Sequence, residues 1–349
     1  MIVIRRKASL TREYSSAILL ASWLCMFPYF TAAEISSPAP PIKPTGKPLL
    51  EPISKSLSVV LSPNTINDTR LFLAGRSIQK LNTYSGKHTR RDVASYILMQ
   101  QALYKGGYTG DFKEHPEMAY LRNLRYVADG KVALLGETIW LDDVKKDNDK
   151  YFISSEVIRD GEFVVGLYVN PDHPLSSTQP SAKQLEHYSA ASNRNWKADW
   201  QVLRDLNVKS IQHSLFWRNI VKMVHAGRAD FTLAPFQDSP DLGIAAYGLT
   251  LAVVPDVKVA LTGSRHFIVS RKHPMGKTIF EQLERGLKIL RQEGTITRAF
   301  TEVGFFNQKT KHWQLLNPPK NPQVSITTSG HQVSGSQHKD HPPQSLQPL

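Results

Sequence analysis

The sequence predicts an α/β fold, and three observations carry that prediction. Short apolar runs bounded by Gly, Pro, Asn or Asp alternate with segments of helical period, the pattern of strands alternating with helices. The two most regular helical segments, Arg91 to Leu103 and Thr278 to Glu293, each stop at glycine, at Gly106-Gly107 and at Gly294. The chain has 349 residues, 41% of them hydrophobic, which suits two α/β lobes or domains with a real core.

Taken in order, Ser58-Val59-Val60-Leu61 reads as a first strand, ended by Pro63. The helix from Arg91 repeats apolar residues at Val93, Tyr96, Ile97, Met99 and Leu103. Met118 to Ala128 is a second helix, stopped at Asp129-Gly130, and Lys131 to Leu135 is a strand running into Gly136-Glu137-Thr138. Gly161 to Val169 is strand, bounded by Asn170-Pro171. Helices are expected at Ser181 to Tyr188, at Lys197 to Leu206, and at Leu215 to His225 with Ser214 as N-cap. Strands are expected at Lys209 to Gln212, Phe231 to Ala234, Val257 to Leu261 and Phe267 to Ser270. Ile296 to Val303 is a last short helix before Gly304, and no internal repeat is visible.

The ends differ from this middle. Arg5, Arg6, Lys7 and Arg12 precede an apolar run from Ser16 to Phe30, and Thr31-Ala32-Ala33 offers small residues for cleavage. That is the pattern of a secretory signal peptide over 1–33, and it predicts an exported protein. The run is shorter than a span needs, so an uncleaved anchor is the lesser alternative. Cys25, the one cysteine, lies inside it, so cleavage leaves no disulfide and no thiolate ligand or nucleophile. Residues 34–56 are rich in Pro, Ser and Lys and read as an extended linker. Residues 318–349 hold Pro, Gln, Ser and His with little apolar content and read as a disordered tail. The tail's His331, His338 and His341 are expected to be solvated.

The net charge of +13 is spread along the chain. No basic run alternates with aromatics, so nucleic acid is not expected as a partner. No His-Glu-x-x-His, Gly-x-Ser-x-Gly or Walker loop occurs, and His213 and His225 lack ligand spacing, so the sequence assembles no enzyme, metal or cofactor site.

Several segments, in order, resemble the bacterial periplasmic solute-binding proteins of the amino-acid-binding type (family 3). They are Asp129-Gly130-Lys131-Val132-Ala133-Leu134-Leu135, Tyr151-Phe152-Ile153-Ser154-Ser155, and the helix end Gly227-Arg228-Ala229-Asp230. Phe267 to Pro274 and the helix Gly286 to Ile296, with its Gly-Thr-Ile end, complete the likeness over about residues 120–315. The resemblance implies a two-lobed, type 2 periplasmic-binding-protein-like α/β fold with a central cleft and hinge strands. Its lobe one would take residues 57–168 and return with 256–317, and lobe two would take 169–255. It further implies a monomer that closes on a small polar, amino-acid-like molecule and serves an inner-membrane transporter or a sensor.

The chain departs from the family where an Arg clamps the α-carboxylate. The turn here is Gly136-Glu137-Thr138, then Trp140 to Lys146, so Lys145 or Lys146 takes the Arg position with a point charge instead of a fork. Where an acid meets the α-amino group, the chain has Ala234-Pro235-Phe236. The expected ligand-binding residues are therefore Glu137, Thr138, Trp140, Lys146, Ser214 and Phe236, with Ser62 and Arg76 ranked below them. The degenerate clamp also supports another reading, a ligand-free scaffold that contacts a protein partner. Trp140 and Phe236 plugging the cleft would favour it.

Overall fold

The computed structural model describes residues 56–117 and 119–318. The expected signal peptide lies outside the described residues, as do nearly all of the linker and tail, including the three tail histidines. In chain order the elements are β1 (Leu57–Leu61), α1 (Pro63–Leu73), α2 (Arg91–Lys105), β2 (Phe112–Pro116), α3 (Tyr120–Ala128), β3 (Leu134–Leu135), β4 (Ile139–Trp140), α4 (Leu141–Val144) and β5 (Tyr151–Ile153). Then come β6 (Val164–Val169), β7 (Ser189–Ser192), α5 (Lys197–Asp205), β8 (Ser210–His213), α6 (Trp217–His225), β9 (Phe231–Pro235), β10 (Ile244–Ala246), β11 (Leu249–Val253) and β12 (Val257–Ala260). The chain closes with β13 (Arg265–His266), β14 (Ile268–Ser270), α7 (Gly276–Gln292), α8 (Thr295–Glu302) and β15 (Gln314–Leu315).

Two large sheets, one per lobe, and the two-stranded antiparallel pair β4-β13 organise these elements. The first has five strands in the order β2-β1-β3-β14-β5, with β1 parallel to β2 and β3 and with β14 antiparallel to its neighbours. The second has eight strands. Its path is β10-β11-β6-β9-β7-β8, and β12 and β15 branch from β6. In it β7 runs parallel to β8 and β9, whereas β6 runs antiparallel to β9, β11 and β12.

The chain leaves the first sheet after β5 and comes back to it before β14, and these two crossings lie side by side. The Ser154 N–H donates to Phe267 O at 2.9 Å, Val157 N–H to Arg265 O at 2.8 Å, and Arg265 N–H to Ile158 O at 2.8 Å. The buried His266 ring bridges the same crossing, with Nδ1 2.6 Å from Ser154 O and Nε2 2.8 Å from Ser264 Oγ. A carbonyl only accepts, so Nδ1 carries the proton and the Ser264 hydroxyl donates to Nε2. Tyr151–Ile153 therefore leads into a crossing between the two large sheets.

Lobe one is built round α2, which is buried from Val93 to Leu103. A helix apolar on nearly every side must be covered on every side, and here α7 supplies one cover. Two glycines set how close these helices come. A Cβ on Gly106 would lie 1.8 Å from Gln282 O, and one on Gly286 would lie 1.7 Å from Ala102 O.

Some elements differ from the sequence expectation. Pro63 does not merely end β1 but occupies the first turn of α1, where its missing N–H is not needed. Ser62 caps that helix, its side chain accepting from Thr65 N–H at 3.1 Å. The expected helix over Ser181 to Tyr188 is a 3-10 turn at Lys183–His187. Helix α6 starts at Trp217, two residues after the expected Leu215, and Phe216 stands at its N-cap without a side-chain bond. The cause is an extended approach pinned by neighbours: Ser214 N–H donates to Ser192 O at 3.1 Å, and Asn193 Nδ2 donates to Leu215 O at 2.9 Å.

Candidate functional site

The N-terminus of α2 begins with three charged residues, Arg90, Arg91 and Asp92, before its apolar body. Arg90 pairs with Asp68 of α1 and reaches Thr65 Oγ1 at 3.4 Å. Arg91 uses one terminal nitrogen to pair with Asp92. Its Nε and Nη1 are buried and have no hydrogen-bond partner. The guanidinium carbon stands 5.2 Å from the centre of the Phe163 ring.

Arg265, in the returning crossing, completes the floor. Its Nε donates to Thr138 Oγ1 at 3.0 Å and a terminal nitrogen donates to Thr138 O. The guanidinium lies 4.7 Å from the Trp140 ring and 5.4 Å from the Phe163 ring. Burial, with Arg91 close by, pushes the Arg265 pKa down to about 10, so it stays charged at neutral pH.

Three carboxylates answer these cations. Glu137 follows β3, and its Oε1 accepts from Thr65 Oγ1 at 2.9 Å and from Ser62 N–H at 3.4 Å. It therefore sits at the N-terminus of α1, where the helix dipole favours a negative charge. Burial first, and then the Asp92 charge, raise the Glu137 carboxyl above its ordinary pKa. Burial alone would raise Asp92 as well, but Arg91, Arg90 and Arg265 together outweigh it and hold that carboxyl low. Asp199 comes from lobe two, in the first turn of α5. Burial pushes it up to about 6 against the pull of its own backbone N–H, Arg265 and Arg91.

Direct polar contacts join the lobes around this cluster. Asp143 of α4 accepts from the Tyr120 hydroxyl of α3 and from Lys197 Nζ of α5, the latter at 2.6 Å. Asn64 Nδ2, on α1, donates to the Tyr247 hydroxyl, in the turn between β10 and β11, at 3.3 Å.

The sequence candidates separate into those that meet here and those that do not. Glu137, Thr138 and Trp140 are brought together, Trp140 as a buried ring beneath Arg265. Ser62 joins them through Glu137. Lys146 is exposed on the 3-10 turn Lys145–Asp147, and Lys145 on the same turn pairs with Asp142 at 2.7 Å. Ser214 is half-buried before α6 and caps nothing. Phe236 is fully buried, with its ring edge-on to Trp313 and against Gly166. Arg76 is exposed and bonds to Phe72 O and Leu73 O of its own segment.

Sequence reasoning missed Arg91, Asp92, Asp199 and Arg265. The signal for two of them was the charged triplet opening an otherwise apolar helix. No comparable signal marked Asp199 or Arg265.

Among the described residues no group of three or more His, Cys, Asp or Glu could hold a metal ion. A surface depression of about 420 Å³ lies elsewhere, lined by Gln101, Tyr104, Lys105, Glu293 and Arg298 among others. Lys105 ends the helix that Arg91 begins, roughly 20 Å away at 1.5 Å per residue. Two buried nitrogens of Arg91 thus lack a partner, and the charges of Arg265 and Arg91 reach the Asp199 carboxyl of the second lobe.

No family model matches the chain, and no curated protein matches it. Among solved structures it is similar to the probable amino-acid ABC transporter extracellular-binding protein of Bacillus subtilis, with 13% identity, coverage of 71% of this chain and 97% of that one, and a TM-score of 0.49. It is similar to an ancestral amino-acid-binding protein, a precursor of cyclohexadienyl dehydratase, with 16% identity, coverage of 71% and 95%, and a TM-score of 0.46. It is also similar to the GluR0 ligand-binding core of Nostoc punctiforme in complex with L-glutamate, with 13% identity, coverage of 71% and 98%, and a TM-score of 0.42.

Proposed function

We propose that this chain is an exported binding protein that captures a small carboxylate-bearing molecule between its two lobes and closes on it. The observation that carries this reading is Arg91, whose Nε and Nη1 are buried without a partner. A buried guanidinium left unsatisfied is costly, and with Nη2 held by Asp92 each remaining nitrogen offers a single bond that an anionic oxygen, such as a carboxylate's, would take. Asp199 of lobe two lies within reach of the Arg265 and Arg91 charges, so an ammonium on the ligand would meet a carboxylate there. Glu137 and Thr138 act at one remove: Glu137 holds the α1 N-terminus and Thr138 aims Arg265. In this reading the five-stranded sheet belongs to lobe one and the eight-stranded sheet to lobe two, which moves β6, β12 and β15 out of the lobe one expected over residues 57–168 and 256–317, and the signal peptide directs the protein to the periplasm. Capture there would serve a transporter or a sensor.

A thermal-shift screen of the purified protein against amino acids, organic acids, polyamines and sugars tests this. A ligand at about 100 times its Kd adds roughly 2.7 kcal/mol. Carboxylates should stabilise the protein, and Arg91→Ala should abolish the shift.

A second reading rests on a different observation. The lobes are already joined by Lys197–Asp143 and Asn64–Tyr247, and Trp140 and Phe236 are buried in packing. A protein whose lobes are held together by these contacts would act as a scaffold for a partner. Silence across the whole screen would favour it.

A further inference from the structure

Between Asp205 and Asp230 the chain has no acidic residue, against Lys209, Arg218, Lys222 and Arg228. This stretch forms β8, the edge strand of the second sheet, and α6. The buried face of α6 carries Ile220, Val221 and Val224. Its outer face presents Arg218 and Lys222, one turn apart and both exposed.

The residues entering that helix are unusual for a surface. Leu215 is 57% exposed and Phe216 44%, and Tyr247, beside them across Arg218, is 41% exposed. The Arg218 guanidinium stands 5.7 Å from the centre of the Tyr247 ring. Single exposed apolar residues need no explanation, but adjacent ones rimmed by cations do. The loop is also not slack: Ser192 and Asn193 hold the backbone at Ser214 and Leu215, so the two side chains are displayed by a fixed frame.

We propose that this face of lobe two docks on an anionic phospholipid surface. Leu215 and Phe216 would enter the boundary between headgroups and acyl chains, where apolar side chains gain most. Arg218 and Lys222 would meet lipid phosphates, and the Tyr247 ring suits headgroup depth, with an apolar body and a polar tip. Charge complementarity decides the occupant: a neutral bilayer would leave the cations unanswered, and an anion alone would leave the apolar pair in water. Because Tyr247 also bonds Asn64 of lobe one, docking takes place at the rim where the lobes meet. The inference does not depend on Arg91 or on any ligand in the cleft.

The test uses the full chain with Cys25→Ser, its one cysteine, and Asn219→Cys carrying an NBD fluorophore on the exposed face of α6. A probe at this position reports whether α6 itself reaches the bilayer, and the serine pair below separates that from tethering by the apolar N-terminal run. Phosphatidylglycerol vesicles should brighten and blue-shift the probe, phosphatidylcholine vesicles should not, and high salt should reverse the effect. Arg218→Glu with Lys222→Glu should weaken the partition more than about tenfold. Leu215→Ser with Phe216→Ser should abolish the blue shift while circular dichroism shows an unchanged fold. An unmoved probe would overturn the proposal. So would a response that survives the serine pair and is matched by soluble dextran sulfate, since that would mark a general polyanion surface.

Discussion

Lys197 Nζ, on lobe two, lies 2.6 Å from Asp143 Oδ1, on lobe one, while the Tyr120 hydroxyl holds the other oxygen of the same carboxylate. The partners are unequally placed, since the Asp143 side chain is 3% exposed and that of Lys197 is 67% exposed. Asp143 is thus fixed within lobe one by Tyr120, and Lys197 is the part that can leave. An ion pair of this kind contributes about 0–1 kcal/mol, which is little for stability but enough to bias an opening of the lobes if they move as proposed. Lys197→Ala should raise the radius of gyration in small-angle scattering while leaving the melting temperature nearly unchanged. An unaltered radius would mean that this contact does not hold the lobes together.

Thr138 and Arg265 make a second long-range pair, and both are buried. Thr138→Val keeps the shape but removes the hydroxyl that accepts from Arg265 Nε. A charged donor left without its acceptor should cost about 1–3 kcal/mol. Urea denaturation would read this as a lower midpoint at unchanged slope. No loss would show that the Thr138 carbonyl alone satisfies Arg265.

Asp199 should make stability depend on pH. Its carboxyl releases its proton at about 6 in the folded chain, because burial disfavours the charge, but at about 3.9 when unfolded. Between those values the native state keeps a proton that the unfolded state has lost, so stability falls as pH rises through this window. Above it the penalty is complete. Asp199→Asn should therefore stabilise the protein by roughly 2 kcal/mol at pH 7.5 and change nothing below pH 3.5. Parallel pH–stability curves for the two proteins would remove Asp199 as the cause.

Gly286 should tolerate no side chain. Its Cβ would stand 1.7 Å from Ala102 O, a backbone atom that cannot swing aside. Gly286→Ala should separate α2 from α7 at a cost of about 1–3 kcal/mol, despite the better helix propensity of Ala. A thermal melt decides it, and a rise in midpoint would mean that the helices part easily.

Much of the fold was legible in the residues. The 3.6-residue period over Arg91 to Leu103 and Thr278 to Glu293, with glycines beyond each, located α2 and α7 to within three residues. The alternation of strand and helix set the fold class. The start of α1 was also written in Ser62-Pro63, but the same Pro reads equally well as the end of a strand, and only the following backbone chooses between them. Short strands such as β7, Ser189–Ser192, carry too few apolar residues to stand out. They are strands because neighbours on both sides pair with them.

The site divides along the same line. The sequence by itself determined the charge types available, the apolar seams that must be buried, and the charged triplet at the head of α2. It could not determine which charges meet. Glu137, Asp199 and Arg265 approach Arg91 from positions far along the chain, through a crossing and a second lobe. Their titration follows from burial and mutual distance, which are properties of the packed molecule and not of any residue. Lys146 and Phe236 make the same point from the other side. Each has a suitable side chain at a suitable place in the sequence. A turn directs the Lys146 position to solvent, and Trp313 and Gly166 enclose the Phe236 ring, because backbone direction and packing are decided only when the lobes assemble.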